Sequence, residues 1–303
     1  MPITAFDIQL LKALAQYYVL TREQLQRHCF PGHSTGRTTR KRLLKLQNAG
    51  YIHKHRMPVA YPGTTGAAPV YYVTKSGAEL LASWFDDDTY RLINTRCPRG
   101  DRLNHWIATN ETRMVIEQAI AGQTEVTLGR FINEWETVDK NAAESQQFTL
   151  HTQLIQDPPL SCSPDAGFLL CMRGHRKVFY LERDLGTSSP RQVAARKSRG
   201  YAELAARQGH RRHFPETTLD VFGVLCVTTT AYRCEQMAKH ISKRQRPDLW
   251  LFVDEHELTP ESFLFGSITM DHQRKRGALI KLPSTSSVVT VEAAVTNEAD
   301  DDD

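Results

Sequence analysis

The sequence predicts an α+β protein with two folded domains, and three observations support this prediction. The length of 303 residues suits two domains of about 100–200 residues each. The first 60 residues combine helical apolar patterns with ten basic side chains and two acidic ones, a net charge of +8 (ten minus two). Later segments, above all the apolar run VFGVLCV, have the composition of buried strands that alternate with helices.

Two helices are predicted first, the second of them short. Thr4 can cap a helix whose apolar residues recur at intervals of three and four. Thr21, followed three residues later by Gln24, forms a capping box that begins a second helix ending near Cys29.

A third helix is expected after a Pro-Gly break, beginning at Ser34 or Thr35 and ending at Gly50. Its apolar face, which includes Leu43, would pack inward and leave a basic ridge exposed to solvent, as a DNA-recognition helix requires. The residues expected at or near the major groove are Arg37, Thr38, Arg40, Lys41 and Lys45.

A strand (Tyr51 to His53), a Pro/Gly-rich loop (Pro58 to Pro69) and a second strand (Val70 to Val73) follow the third helix. Three helices followed by a hairpin is the order of a winged helix-turn-helix domain. We therefore expect double-stranded DNA as the partner, with Lys54 and Arg56 of the wing on the phosphate backbone.

The domain boundaries follow from composition. Three consecutive aspartates, 86–88, and a Cys-Pro-Arg-Gly break at 97–100 interrupt the patterned segments, and the chain ends in EADDDD. The predicted organisation is a winged-helix domain over 1–85, a linker over 86–102, a second domain over 103–283, and a disordered acidic tail over 284–303.

The second domain alternates helices and strands. The predicted elements are a helix (Leu103 to Ile120), a strand (Val126 to Trp135), a hairpin, a helix (Pro190 to Gln208), a strand (Leu219 to Thr229), a helix (Tyr232 to Lys243) and a strand (Leu249 to Val253). The order α-β-β-β-α-β, with one extra helix and strand, is that of a restriction-endonuclease-like α/β domain of the PD-(D/E)XK type.

The hairpin, from Ser163 to Thr187, carries acidic residues on both strands. With a two-residue turn at Arg173-Gly174, counting outward places Asp165 opposite Glu182, whereas a four-residue turn places Asp165 opposite Asp184. Because side chains two apart share one face of a strand, either register gathers three carboxylates on one face of the sheet.

Like charges that oppose one another on a sheet are destabilising unless a positive group lies between them. A divalent ion, Mg²⁺ or Mn²⁺, held by Asp165, Glu182 and Asp184, is one solution. The alternative is a solvated acidic face that holds no ion.

Six segments carry a family resemblance, and FYLERDLGT followed by ARKSRGYAEL is the most specific. The others are DIQLLKALAQYYVLTREQLQRHCFPG, TTRKRLLKLQNAGYI, NHWIATNE and SPDAGFLL. The chain resembles the replication-relaxation family of plasmid and mobile-element proteins. The resemblance implies a winged helix, a nuclease-like domain, and a role in plasmid replication, DNA relaxation or transfer.

The chain departs from the usual core motif of that nuclease fold, which is Pro-Asp followed by Asp/Glu-x-Lys. Here Pro164-Asp165 is followed by Glu182-Arg183-Asp184, so an aspartate stands at the lysine position. Lys197, on the next helix, could reach the site from another direction, or it could be one of several surface cations.

The sequence therefore leaves two functions open, and with them the question of whether the protein is an enzyme. The first is a DNA-binding accessory or regulatory protein of a plasmid or mobile element, with other replication or transfer proteins as further partners. The second is a metal-dependent DNA endonuclease or nickase. In it Asp165 and Glu182 hold the ion, Asp184 is a further ligand or base, and Lys197 stabilises charge on the phosphate.

Other classes find little support. No run of about 18 uncharged apolar residues predicts a membrane span, and the N-terminus lacks the pattern of a secretory signal. The six cysteines are scattered without a C-x-x-C pair, which is typical of reduced, core-filling cysteines in a cytoplasmic protein. The stretch His210 to His213 is interpreted as a solvated basic loop or a phosphate contact.

Overall fold

The computed structural model describes residues 2–32, 35–56, 68–138, 142 and 144–281, whose elements form an α+β fold. The predicted acidic tail and most of the loop from Pro58 to Pro69 lie outside these residues. Within the described ranges, no helix combines the length and the apolar character needed to cross a membrane.

Among its described residues, the N-terminal unit holds four α-helices and a small antiparallel sheet of strand order β1-β3-β2. Its elements are α1 (Ala5–Tyr17), β1 (Leu20–Thr21), α2 (Arg22–Cys29), α3 (Arg37–Asn48), β2 (Ile52–His55), β3 (Val70–Val73) and α4 (Lys75–Phe85).

Local sequence accounts for how these helices begin. The Thr21 hydroxyl accepts a hydrogen bond from the Gln24 backbone N–H at 3.1 Å, so the predicted capping box is confirmed. The third helix begins at Arg37, two or three residues later than expected. Gly36 adopts a left-handed conformation with φ of 59°, which a helical residue cannot have, and so the helix starts after it.

The second unit is built on a seven-stranded sheet of order β12-β11-β10-β9-β8-β7-β4, beside a two-stranded sheet, β5-β6. Its elements are α5 (Leu103–Ala121), β4 (Val126–Asn133), α6 (Glu144–Gln147), β5 (Thr152–Ile155), β6 (Leu160–Cys162), β7 (Ala166–Met172), β8 (His175–Arg183), α7 (Pro190–Ala206), α8 (His210–His213), β9 (Gly223–Thr228), α9 (Ala231–Ile241), β10 (Trp250–Asp254), β11 (Thr269–Met270) and β12 (Arg276–Gly277).

Strand β9 lies in the middle of this sheet, parallel to both β8 and β10, and every one of its residues is buried. Its continuous apolar sequence is what a strand covered on both faces requires, so the predicted central position is confirmed.

The acidic hairpin has the two-residue turn. Met172 pairs with His175, and Arg173 and Gly174 both have positive φ, as this turn demands. The four-residue alternative is therefore wrong. The ladder extends to Ala166 and Leu181, so Asp165 and Glu182, one step further out, oppose each other.

Two cores cover the two faces of the sheet. Val178 and Tyr180 of β8 join the core formed with α7 and α9, whereas Phe179 and Leu181 join the core formed with α5. Continuing this alternation along β8 directs Glu182 and the following Asp184 towards α7 and α9.

Helix α5 packs against both units. The Asn110 side-chain amide donates to the backbone carbonyls of Tyr17, at 3.0 Å, and Val19, at 2.8 Å, in the N-terminal unit. Leu103 and Trp106 of the same helix are buried in a cluster with aromatic residues of that unit. The N-terminal end of α5 is thereby fixed beside the acidic hairpin.

Candidate functional site

Asp165 and Glu182 lie at the end of the hairpin, each only 6% exposed, with Lys197 of α7 between them. Lys197 Nζ lies 2.8 Å from Glu182 Oε2 and 3.9 Å from Asp165 Oδ1, and it also donates to the Ser163 carbonyl at 3.1 Å. The hydroxyl of Tyr201, one turn further along α7, donates to Glu182 Oε1 at 2.5 Å. Two buried carboxylates are thus held together by one ammonium group.

The two carboxylates have different protonation behaviour. Burial raises the pKa of Glu182 to about 7, and the charge of Asp165 adds to this, while Lys197 only partly offsets it. Burial would also raise the pKa of Asp165, but Lys197, His105 and the Arg183 backbone N–H outweigh it, and the pKa of Asp165 is lowered. Asp165 is therefore the more acidic of the two carboxyl groups.

Asp184 does not join this pair. Arg233 of α9 binds it through both carboxylate oxygens, with Nη2 at 2.9 Å from Oδ1 and Nε in close contact with Oδ2. The same guanidinium donates to the Ser188 carbonyl at 2.6 Å. The three carboxylates share one face of the sheet, as strand alternation requires, but an arginine on a second helix draws Asp184 away.

The sequence reasoning missed two residues beside Asp165. His105 Nε2, at the start of α5, lies 3.0 Å from Asp165 Oδ1, and Glu134 directly follows β4, the strand that pairs with β7. Ligand atoms of His105, Glu134 and Asp165 all lie within 4.8 Å of one another, and no other such group of at least three His, Cys, Asp or Glu occurs among the described residues. Glu182 and Asp184 are not part of it.

This trio fits a divalent ion that accepts both imidazole and carboxylate ligands, such as Mn²⁺. Burial lowers the pKa of His105, but the Asp165 carboxylate, 3.0 Å from its Nε2, outweighs burial and the pKa of His105 is raised. Burial raises the pKa of Glu134, and the charge of Asp165 raises it further. Both shifts show that this group favours added positive charge, which either a protonated His105 or a bound ion would supply.

The sequence offered only weak signals for these neighbours. His105 lies in the NHWIATNE segment and Tyr201 in the ARKSRGYAEL segment, whereas Glu134 and Arg233 had no distinguishing pattern. Their roles depend on contacts between elements distant in the chain, and strand alternation cannot reveal such contacts.

A second candidate site is the outer face of α3, where Arg37, Arg40 and Lys41 are exposed. No described residue forms an ion pair with any of the three, and Leu44, 58% exposed, lies on the same face. Thr38 is partly buried beside them. Positive charge on this face is therefore available to an external anion.

Lys54 and Arg56, the predicted wing residues, are exposed in and just after β2. No described side chain forms an ion pair with either of them. They lie at the start of the loop whose remainder is outside the described residues.

Lys45 differs from the prediction. Its Nζ lies 2.6 Å from Asp7 Oδ2 and 2.8 Å from the Pro2 carbonyl, and its side chain is only 15% exposed. Arg42 reaches the same aspartate, with Nη1 at 3.0 Å from Oδ1. Because Asp7 is fully buried, these two cations hold α3 against α1, and Lys45 is not presented to solvent.

The interpretation of His210 to His213 as a solvated loop is also wrong. Both histidines are buried, and His213 Nδ1 lies 2.6 Å from the Tyr180 hydroxyl while its Nε2 lies 2.9 Å from that of Thr152. Burial lowers the pKa of His213 to about 4. It is a neutral core residue.

The comparisons with known proteins give one match. The model of the replication-relaxation family matches residues 11–217, about two thirds of the chain, from within α1 to just after α8. The chain belongs to the replication-relaxation family, in agreement with the resemblance in its motifs. No curated protein and no solved structure gave a match.

Proposed function

We propose that the protein binds double-stranded DNA and acts as an accessory or regulatory factor in replication, relaxation or transfer of a plasmid or mobile element. Family membership supports a role in replication or relaxation. The order of the N-terminal elements, α1-β1-α2-α3-β2-β3 with a sheet of order β1-β3-β2, supports a winged helix. In such a domain α3 is the recognition helix and the β2–β3 loop is the wing.

The exposed face of α3 is the observation that carries this proposal. Arg37, Arg40 and Lys41 project from one side of a helix whose opposite side, Thr39, Leu43 and Leu46, is buried. Cations that form no ion pair with another described residue are available to phosphates and base edges, and each phosphate they neutralise releases counterions. Lys54 and Arg56 extend the positive surface to the wing.

Substitution of Arg37 and Lys41 by alanine tests the proposal. We expect the double variant to bind a plasmid-derived duplex at least about tenfold more weakly, because two cations no longer meet phosphates or base edges. The matched control is Lys12→Ala with Lys75→Ala, which removes the same charge from exposed positions on α1 and α4. Equal affinities of the two double variants in fluorescence anisotropy would contradict a specific role for α3.

A second function, metal-dependent DNA cleavage, is favoured by the Asp165–Lys197–Glu182 arrangement. The seven-stranded sheet with α5 on one face and α7 and α9 on the other supports a restriction-endonuclease-like domain of the PD-(D/E)XK type. A divalent ion, when bound, supplies polarisation of the phosphodiester and a water of lowered pKa.

The residues have distinct roles in this second function. Asp165 would hold the ion together with either Glu182, as the hairpin predicts, or His105 and Glu134, as the 4.8 Å group favours. Lys197 Nζ, already poised between two carboxylates, would stabilise charge that develops on a phosphate. Asp184 would keep its structural pairing with Arg233.

Incubation with supercoiled plasmid, with and without Mg²⁺ or Mn²⁺, separates the two functions. A nuclease nicks the plasmid only with metal, and Asp165→Asn abolishes nicking, whereas Asp220→Asn, at an exposed position, does not. An accessory protein leaves the plasmid intact under every condition while binding it through α3.

A further inference from the structure

Helix α9 carries an exposed stripe that the proposed duplex-binding surface does not include. Tyr232, Gln236 and Lys239 recur at helical intervals along it, and Lys243 continues the stripe just beyond the end of α9. Tyr232 is 70% exposed, more than any other Phe, Tyr or Trp side chain in the described part of the chain. The stripe from Tyr232 to Lys243 extends for on the order of 16 Å.

Two adjoining clefts, of about 370 and 450 Å³, lie along this stripe and share Gln236 in their walls. Cations from three separate segments line them: Arg191 at the start of α7, Lys239 and Lys243, and Arg274 between β11 and β12. None of these four has an ion-pair partner among the described residues, and Glu235 is the single carboxylate among the lining side chains.

The pKa of His240, which lines the same cleft as Tyr232, reflects the concentration of positive charge around it. Its pKa is lowered by the little burial it has and by repulsion from the neighbouring Lys239, Lys243, Arg191 and Arg244. These four cations therefore all act on the position of His240, and an anion bound there would be attracted by each of them.

We propose that Tyr232 and the surrounding cations form a binding site for single-stranded DNA, separate from the duplex-binding face of α3. An exposed aromatic ring among unpaired cations is the combination that binds unpaired bases, which stack on the ring while phosphates contact the basic side chains. A duplex keeps its bases stacked inside and cannot use the ring. The inference rests on the proposed role in DNA transactions, but it concerns a different surface.

The position of the stripe links it to the carboxylate site. Arg233, the neighbour of Tyr232 in the chain, binds Asp184 and the Ser188 carbonyl, so the cleft opens beside the loop between β8 and α7. A single strand of DNA that lies along α9 would thus be directed towards the end of the hairpin where Asp165 and Glu182 lie. Replication and relaxation both expose single strands, so the proposed role supplies this ligand.

The test is binding of a labelled single strand of about 12 nucleotides, within the range of known single-strand sites, to the full chain. Tyr232→Ala should weaken binding about 5- to 100-fold, because loss of stacking costs that much per base, whereas Tyr232→Phe should retain affinity within about twofold. Lys239→Ala with Lys243→Ala should lower the slope of log affinity against log salt by about 1.4, or 0.7 for each phosphate no longer neutralised. All these residues are exposed or near the surface, and a thermal melt checks the folding of each variant.

The Arg37→Ala, Lys41→Ala variant keeps this inference separable from the duplex proposal. It should bind the single strand normally while losing duplex affinity, so failure of one proposal leaves the other intact. The single-strand site is overturned if Tyr232→Ala binds as tightly as the unmodified protein, or if Tyr232→Phe is as weak as Tyr232→Ala. Competition by polyglutamate as effective as that by an unlabelled strand would also overturn it, in favour of an acidic protein partner.

Discussion

Single residues at the carboxylate site are organised by charge neutralisation. Removing a buried carboxylate pair from water is costly, and Lys197 offsets that cost by contacting both Asp165 and Glu182. Arg233 does the same for Asp184 on the neighbouring helix. The like-charge repulsion that the hairpin register predicts is therefore relieved by two side chains of this chain, whether or not an ion is also bound.

Replacing Lys197 by alanine should destabilise the fold by about 3–5 kcal/mol, because it leaves two buried carboxylates without their shared cation. Chemical denaturation measures this change in stability. Adding Glu182→Gln to the variant should recover part of it, since only one buried charge then remains. The control is Arg196→Ala, at the adjacent exposed position, which should change stability little. A Lys197→Ala protein as stable as the unmodified one would contradict the account.

His213 gives a pH-dependent prediction. Its folded-state pKa of about 4 lies below the ordinary value of 6.5, so the unfolded chain binds a proton between these values and the folded chain does not. The stability contribution is complete above about pH 6.5 and is lost as the pH falls through 4, by up to roughly 3 kcal/mol. His213→Gln should flatten this part of the stability profile, and His175→Gln, at an exposed position, should not. Parallel profiles for all three proteins would refute the assignment.

How far the sequence predicts the site depends on the range of the interactions. Hairpin counting correctly opposed Asp165 and Glu182, because both lie on adjacent strands joined by two residues. It could not predict that Asp184 binds Arg233, 49 residues away, since this depends on where α9 crosses the sheet. Lys45 was misassigned for the same reason, because its partner Asp7 lies on another helix.

Among the elements, α5 is the one that connects the carboxylate site with the N-terminal unit. It begins beside Asp165 with His105 and continues along the N-terminal unit, where Arg27 of α2 is bound to Glu111 and the Tyr17 hydroxyl to Glu117. A helix that contacts both units in this way holds them in a fixed position relative to each other.

Asn110→Ala tests this role of α5. The substitution removes a donor to the Val19 carbonyl and one of two donors to the Tyr17 carbonyl, which keeps its bond from the Val19 N–H; each buried group left unsatisfied costs about 1–3 kcal/mol. We expect a lower melting temperature than for Asn104→Ala, a matched change at an exposed position of the same helix. Equal melting temperatures would show that α5 does not hold the units together through this residue.

Elements with strong periodicity or composition were predicted well, and short polar ones were not. Strand β9 follows from its apolar run, whereas α6, α8 and the β5-β6 pair have only three or four residues per element and no pattern long enough to recognise. The start of α3 was misplaced because the left-handed conformation of Gly36 cannot be told from composition.

At the scale of the whole molecule, we expect limited proteolysis to cut the chain first between the two units. The chain from 86 to 102 is largely exposed and contains four arginines, so limited trypsin digestion should cut there before elsewhere in the described residues. Because α5 remains packed against the N-terminal unit, the two fragments should elute together on size-exclusion chromatography. Early cleavage inside α5, or fragments that separate at once, would argue against this organisation.

The most direct test of the central claim, that α3 is the duplex-binding surface, is the salt dependence of DNA affinity. For Arg37→Ala with Lys41→Ala, the slope of log affinity against log salt should fall by about 1.8, or 0.9 for each phosphate no longer neutralised. The Lys12→Ala, Lys75→Ala control should keep the slope of the unmodified protein. Three parallel lines would contradict the claim and assign duplex binding to another surface of the molecule.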